Sequence, residues 1–437
     1  MKVNQKDENA ILQKLGIDAL NPMQIKAHEV ISQHNEVILL ANTGTGKTLA
    51  FLLPIMAQMD PAISDIQLLI LVPSRELAIQ IEQVIREMGS GYKANAVYGG
   101  RAGTKDKMDL KHPPSILVGT PGRIVDHINN EIIDISCIKT LVLDEFDKIL
   151  EVGFVEEVKE IILKLRAVRK KVLTSATQIN EIPPFVNLKN PMRIDFTQEV
   201  IKELKIKIVV SKNKDKLGAL VKLLRTVKSQ SGIVFCNFKN SISLVSELLY
   251  KQKIGHVCFY GGMEQMDRER ALIKFRNGTY RILVATDLAA RGIDVPEMDY
   301  IIHYELPPIA EEFLHRNGRT ARMHAEGTAY VLKWENQTLP PFIHKAEEFE
   351  IQTPEVSEPK KWVTLHITGG RKDKISKGDI AGLFFKTGKL NNSDLGVIEL
   401  KQDCAYVAVP AKLSDELIEK LNNSRLKKKK VRISLLR

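Results

Sequence analysis

The chain has 437 residues, 44% hydrophobic and 27% charged, which exceeds what one core usually organises and predicts two or three folded domains rather than disordered filler. Net charge is +11, and residues 361–437 carry +9 of it, so a basic, polyanion-binding module follows a near-neutral engine. Cys137, Cys236, Cys258 and Cys404 lack C-x-x-C spacing, arguing against a disulfide framework or zinc site, and no apolar run nears the roughly 18 residues that span a bilayer; a cytoplasmic protein without a membrane partner is expected.

From residue 10 to about 196, short apolar strands at 37–40, 68–72, 94–98, 116–118, 141–143 and 172–173 alternate with helical stretches such as 76–88 and 155–165. This α/β alternation predicts a parallel sheet with ligands at the carboxyl ends of its strands. After the first strand comes Ala41-Asn42-Thr43-Gly44-Thr45-Gly46-Lys47-Thr48, then an apolar helix start. In that order, inward backbone N–H groups cradle a triphosphate, Lys47 reaches its β and γ phosphates and Thr48 offers a hydroxyl to Mg²⁺. A glycine turn carrying a lysine by chance is the plainer alternative, and the full spacing disfavours it. About a hundred residues on, the run 141–143 ends in Asp144-Glu145. Asp144 is placed to hold Mg²⁺, largely through water, and Glu145 to position and deprotonate the attacking water.

A second strand–helix series follows, with strands at 232–235, 256–259, 282–285, 300–303 and 327–331 and no P-loop of its own. Residues 197–215, rich in Lys and β-branched side chains, read as the connector between the lobes. Prolines interleaved with acidic residues mark 339–360 as an extended linker. The tail then reads β-α-β-β-α-β, with strands at 362–367, 396–400, 405–409 and 431–435 and helices at 377–386 and 414–421, a ferredoxin-like order used by RNA-recognition modules. The expected boundaries are 1–196, 197–338 with its connector, the linker 339–360, and 361–437.

Taken together, the motifs resemble those of the DEAD-box ATP-dependent RNA helicases, in the family's order. The box reads Asp144-Glu145-Phe146-Asp147, with Phe146 for the usual alanine, and Ala41 stands for the usual first P-loop glycine. The resemblance implies two tandem RecA-like lobes plus an RRM-like α+β tail. It implies that Gln24, in a stretch like the Q motif but with Asn21 for threonine, reads adenine. It places Ser74, Arg75, Gly99, Gly100, Thr120, Gly122 and Arg123 of the first lobe, and Gly261, Gln265, Arg268 and Thr286 of the second, on the RNA. Asp147, Ser175, Thr177 and His315 would couple the nucleotide site to lobe closure. Asp294 would face the ribose, and Arg319 and Arg322 would neutralise the γ-phosphate as arginine fingers. Ala321 replaces a usual glycine.

Residues from Trp362 onward resemble the RNA-binding domain of DbpA-type helicases, notably His366-Ile367-Thr368-Gly369-Gly370-Arg371-Lys372-Asp373-Lys374. Contacts are expected through Arg371, Lys372 and Lys374 and through the lysines at 427–430; Tyr406 alone could stack a base, and is as readily core. The implied function is local unwinding of structured RNA, with ATP and Mg²⁺, on large-subunit ribosomal RNA in pre-ribosomal particles, by a monomer. A non-catalytic RNA chaperone with a vestigial ATP site is the rival, opposed by the intact Lys47, Asp144, Glu145, Arg319 and Arg322. A DNA helicase of the same two-lobe class is disfavoured by the tail.

Overall fold

In a computed structural model, the structure describes residues 8–42, 44–100, 103–178, 181–197, 204–227, 230–287, 298–320, 327–343, 346–351 and 361–436. They divide into two compact units near residue 201.

In the first unit, the apolar runs become strands β1 (Glu36–Ala41), β2 (Leu68–Leu71), β3 (Ala94–Val97), β4 (Ile116–Gly119), β5 (Thr140–Leu143) and β6 (Lys170–Ser175), joined by β7 (Met192–Phe196). Their sheet is wholly parallel, ordered β3-β4-β2-β5-β6-β1-β7. Both faces are covered, so the central strands read as continuous apolar runs rather than as alternations. Leu39, Ile70 and Val142 pack with the helices Pro22–Gln33, Lys47–Ala57 and Arg75–Met88 on one side, whereas Ile38, Leu69 and Leu141 pack with Pro121–Asn129 and Val155–Lys164 on the other. β7 escaped the sequence reading because it is an edge strand that buries only Ile194 fully. The order places β6 alone between β1 and β5, so the P-loop and the acidic pair, a hundred residues apart in sequence, end up one strand apart.

The second unit opens with β8 (Leu204–Ser211), then β9 (Gly232–Phe235), β10 (Val257–Phe259), β11 (Ile282–Ala285), β12 (Tyr300–His303), β13 (Gly327–Trp334) and β14 (Glu347–Glu348). They form a second parallel sheet, β10-β11-β9-β12-β13-β8-β14. Two expectations are corrected. Residues 204–211, read as connector, pair with β13 along their whole length, from Leu204 opposite Gly327 to Ser211 opposite Trp334. Their lysines alternate with apolar residues, a half-exposed strand pattern. Within 339–360, read as linker, Glu347 and Glu348 add a parallel edge beside Lys207 and Ile208, and Phe349 and Ile351 pack on the lobe's core.

The tail, in the same unit, contributes β15 (Trp362–Ile367), β16 (Ile398–Leu400), β17 (Ala405–Pro410), β18 (Arg425–Leu426), β19 (Lys429–Lys430) and β20 (Ile433–Leu435). Its antiparallel sheet runs β16-β17-β15-β20, the ferredoxin-like order that the sequence predicts. One face is covered by Lys377–Gly382, continued as a π turn over Leu383–Thr387, and by Ser414–Leu421.

Candidate functional site

Ala41 closes β1 with no positive φ, so the usual glycine is not needed there; the left-handed positions of the loop are Gly44 (φ +83°) and Gly46 (φ +85°), both still glycine. Thr45 caps the turn by donating from Oγ1 to the Asn42 carbonyl at 2.9 Å. Lys47 is buried and its ammonium donates back to the Ala41 and Asn42 carbonyls, which holds it folded over the loop that phosphates would fill. Thr48 follows on the helix Lys47–Ala57. Thr43 lies outside the described residues.

Asn21, the departure from the usual threonine, does the work of a helix cap. Its Oδ1 accepts from the Gln24 N–H at 2.8 Å while Gln24 Oε1 accepts from the Asn21 N–H at 3.0 Å, a reciprocal capping box. The same two side chains grip the loop: Asn21 Nδ2 donates to the Thr45 carbonyl at 3.0 Å and Gln24 Nε2 to the Gly46 carbonyl at 3.3 Å. The positive φ favours glycine at position 46, and a Cβ there would fall 2.5 Å from Gln24 Nε2 and push that amide off the loop.

Asp144 is 3% exposed at the end of β5. Burial pushes its carboxyl above the usual range, and the Thr174 hydroxyl and the Lys47 charge oppose that shift. Thr174 donates to Asp144 Oδ1 and accepts from the Glu145 N–H at 3.2 Å, so it orients both members of the acidic pair. It went unnoticed in the sequence because it precedes Ser175-Ala176-Thr177 on β6, and only the pairing of β6 with β5, Leu173 beside Leu143, brings it to the carboxylates. Glu145 itself sits at φ +51°, a left-handed turn that ends the strand and starts the helix Phe146–Val152. The Thr177 hydroxyl donates to Asp147 Oδ2 at 2.9 Å, and Ser175 Oγ donates to the Thr177 carbonyl at 2.8 Å, which is the linkage expected between these motifs. Phe146, in place of alanine, is fully buried in the core below the box.

Along the same sheet edge, Ser74 caps the helix Arg75–Met88, accepting from the Leu77 N–H at 3.2 Å. The Arg75 guanidinium lies against Gly99 and Gly100; a Cβ on Gly100 (φ +81°) would meet its Nη1 at 2.4 Å. Thr120 starts the helix Pro121–Asn129, and the space beside Gly122 is open. Arg123 differs from the expectation of an RNA-facing cation: Nε and Nη2 each lie 2.9 Å from Asp106 Oδ2, and Nη1 lies 3.1 Å from Asp126. Asp106 also meets buried His127 at 3.0 Å, so this arginine is neutralised within the lobe.

In the second unit, Arg268 donates from Nη1 to the Tyr260 carbonyl at 3.2 Å and lies over the Phe259 ring, bracing the turn that carries Gly261 and Gly262 (φ +86°). Gln265 begins the helix Gln265–Arg276, and the Thr286 N–H donates to the Phe259 carbonyl at 3.3 Å. The arginine run holds a residue the sequence reading passed over. Arg316 is 2% exposed and donates from Nε to Asp287 Oδ1 at 2.6 Å, from Nη1 to the Glu305 carbonyl at 2.6 Å and from Nη2 to Asn237 Oδ1 at 2.7 Å. It ties together the chain ends leaving β9, β11 and β12. His315 precedes it on the helix Ala310–Asn317, and Arg319 is 8% exposed just beyond. Ala321, Arg322 and Asp294 lie outside the described residues.

On the tail, Arg371–Asp373 form a 3₁₀ turn, with Lys374 left-handed at φ +61°. In the run 427–430, Lys427 and Lys428 form the turn of the β18–β19 hairpin and Lys429 and Lys430 its second strand; Lys427 pairs with Asp379 and Lys429 with Asp373, each at 2.9 Å. The two basic stretches named from sequence therefore sit side by side, with half of the hairpin lysines already paired.

A P-loop with a strand-end acidic pair on one parallel sheet, an arginine-bearing parallel sheet and a ferredoxin-like tail define the class of two-lobed ATP-dependent helicases. Residues 21–183 match the DEAD/DEAH box helicase family, 215–324 the helicase conserved C-terminal domain and 364–435 the DbpA RNA-binding domain. The ATP-dependent RNA helicases DbpA of Escherichia coli and Bacillus subtilis are 31% and 30% identical, covering 98% and 97% of this chain and 96% of each relative. The chain belongs to the DEAD-box ATP-dependent RNA helicases of the DbpA type. Among solved structures, Mss116p bound to ssRNA and AMP-PNP aligns at TM-score 0.68 and 25% identity over 79% of this chain and 78% of its own. S. cerevisiae Dbp5 bound to RNA and ADP BeF3 aligns at 0.67 and 24% over 76% and 89%, a likeness of fold.

Proposed function

We propose that this ATP-hydrolysing helicase separates or remodels short helices of large-subunit ribosomal RNA during ribosome assembly, as a cytoplasmic monomer. The first lobe supplies Lys47 for the β and γ phosphates, Gln24 for the adenine edge, and Glu145 to orient and deprotonate the attacking water. Among the described residues no three His, Cys, Asp or Glu side chains converge as a metal site of their own, so Mg²⁺ would be held by Thr48, Asp144 and the phosphates. Buried Asp144, whose charge is disfavoured by desolvation and only partly offset by Lys47, fits a dication that would add counter-charge there and screen the phosphates. Arg319 and Arg322 are proposed to neutralise charge on the γ-phosphate. RNA would lie on Ser74, Arg75, Gly99, Gly100, Thr120 and Gly122, with Gly261, Gln265, Arg268 and Thr286 on the second lobe; Arg123 is assigned to shaping that surface through Asp106.

The observation that supports a particular RNA target is the basic turn and hairpin brought together on the tail, in a domain that matches the DbpA RNA-binding domain. ATPase measured with fragments of ribosomal RNA, with duplex DNA and without nucleic acid tests the reading. Stimulation by one ribosomal RNA region well above the rest is expected; equal stimulation by every RNA would remove the ribosomal target, and no stimulation by any RNA would remove the coupling.

A further inference from the structure

The tail's sheet has a second face, opposite its helices. In strand alternation that face carries Trp362, Thr364 and His366 from β15, Tyr406 and Ala408 from β17, and Glu399 from β16, while Leu365, Ile367, Val407 and Val409 point into the core. An open sheet face bearing aromatic side chains is the usual platform for stacking unpaired bases. Here Thr364 and Ala408 are each only 1% exposed, although both point away from the tail's own core.

Ala408 is packed against Gly396 of the tail itself, whereas Thr364 and its neighbours on this face meet the second lobe. Arg276 makes a two-pronged pair with Glu399, Nε to Oε1 and Nη2 to Oε2, each at 2.8 Å. Lys401, at the end of β16, lies 3.1 Å from Glu269 and 3.8 Å from Glu399. The Thr279 and Thr364 hydroxyls meet at 2.8 Å, and the Trp362 ring stands over Gly278, where an added Cβ would touch it at 3.8 Å. Burial and then the Arg270 charge hold the His366 imidazole below its ordinary range, placing a second cation of the same lobe beside the sheet. Glu269 and Arg276 are seven residues apart, two turns along one face of the helix Gln265–Arg276. One charge network on the helix, with a hydroxyl pair and an aromatic contact just past its end, therefore registers this segment against the sheet. A forked arginine–carboxylate pair fixes orientation as well as distance.

That helix begins at Gln265 and includes Arg268, which braces the glycine turn after Tyr260. The tail thus holds the far end of the helix whose near end carries residues proposed to face RNA. We propose that the outer sheet face of the tail is a docking surface for the helix Gln265–Arg276 rather than a base-stacking platform, and that tail-bound RNA acts on the motor through this helix. Arg276, Glu399 and Lys401 are positioning residues in that link. The basic turn and hairpin, carried on other parts of the tail, stay available for RNA. This inference rests on the proposed RNA-stimulated activity for its consequence, and on the contacts alone for the docking.

The test uses the full chain carrying Thr279→Cys and Thr364→Cys, whose side-chain oxygens are close enough for a disulfide to replace them. Oxidation is followed by peptide mapping, and ATPase is measured with ribosomal RNA fragments and with poly(U) in the oxidised and reduced states. A second variant, Arg276→Glu, is measured reduced. The expected results are a 279–364 disulfide, stimulation by ribosomal RNA that survives locking, and stimulation about ten-fold weaker in Arg276→Glu with poly(U) stimulation unchanged. Failure of the disulfide to form would overturn the docking. Loss of stimulation in the locked protein would show that RNA must displace the helix from the sheet, and wild-type stimulation in Arg276→Glu would show that no signal passes this way. If the unmodified protein responds to neither RNA, the proposed function fails while the disulfide still reports on the docking.

Discussion

At the scale of single residues, the nucleotide site is arranged by side chains that satisfy one another until a ligand takes their place. Lys47 is folded onto the loop's own carbonyls, and Asp144 and Glu145 are both held by Thr174. Because Glu145 is bound through its backbone, Glu145→Gln should leave the turn and ATP binding intact and remove most turnover. A single-turnover assay with saturating ATP and RNA checks this, and unchanged hydrolysis would take the general-base role away from that carboxylate. Phe146 is the opposite case, a departure from the usual motif explained by packing. Its ring fills the core beneath the box with Leu143 and Ile149, so restoring the common residue by Phe146→Ala should destabilise the first lobe by about 3–5 kcal/mol. Urea melts would show the loss, and hydrolysis per folded molecule should be preserved.

At the scale of elements, the second lobe is pinned where three strands end. Arg316 satisfies Asp287, Asn237 and the Glu305 carbonyl at once, and beside it His303 on β12 is fully buried, bonded through Nε2 to Asn317 Oδ1 at 2.9 Å and stacked on Phe313. Burial, and then the Arg316 charge, hold that imidazole down to about 3 from an ordinary 6.5. The unfolded chain therefore takes up a proton below pH 6.5 that the folded lobe refuses until about pH 3. Stability of this lobe is full above pH 6.5 and should fall as pH drops toward 3, by at most about 1.4 kcal/mol per pH unit from this one group. Denaturant titrations between pH 7 and 4 measure the slope, and His303→Gln, which keeps an amide toward Asn317, should flatten it.

At the scale of the whole chain, the arrangement separates an engine from an address. The first 360 residues carry the ATP-site motifs on near-neutral lobes, and the last 77 carry +9 of the +11 charge. Removing residues 361–437 should leave basal ATPase and abolish preference for one RNA over another, since backbone contacts alone do not read sequence. Competition binding with ribosomal fragments measures this, and an equal preference in the shortened chain would relocate the selectivity to the lobes. Arg276 and Trp362 make the truncation more than a loss of binding, because it also uncovers the helix end that the tail grips.

Much of this was legible in the order of residues alone. Apolar runs of two to five residues, each followed by a loop with its own chemistry, announce buried parallel strands, and the spacing of Gly44, Gly46, Lys47 and Thr48 or of Asp144 and Glu145 carries its chemistry locally, because phosphates and carboxylates act over a few ångströms of contiguous chain. β7, β8 and β14 stayed hidden because each lies at or beside a sheet edge, where the residues are half exposed and their pattern is weak. Thr174, Asp106 and Arg316 stayed hidden for another reason: their partners are 11 to 79 residues away, and only strand order and helix packing decide who meets whom. The tail's outer face makes the distinction plainest. Its alternation told which residues share a side, whereas what covers that side was decided by tertiary packing, since burial by a distant element leaves no period in the sequence.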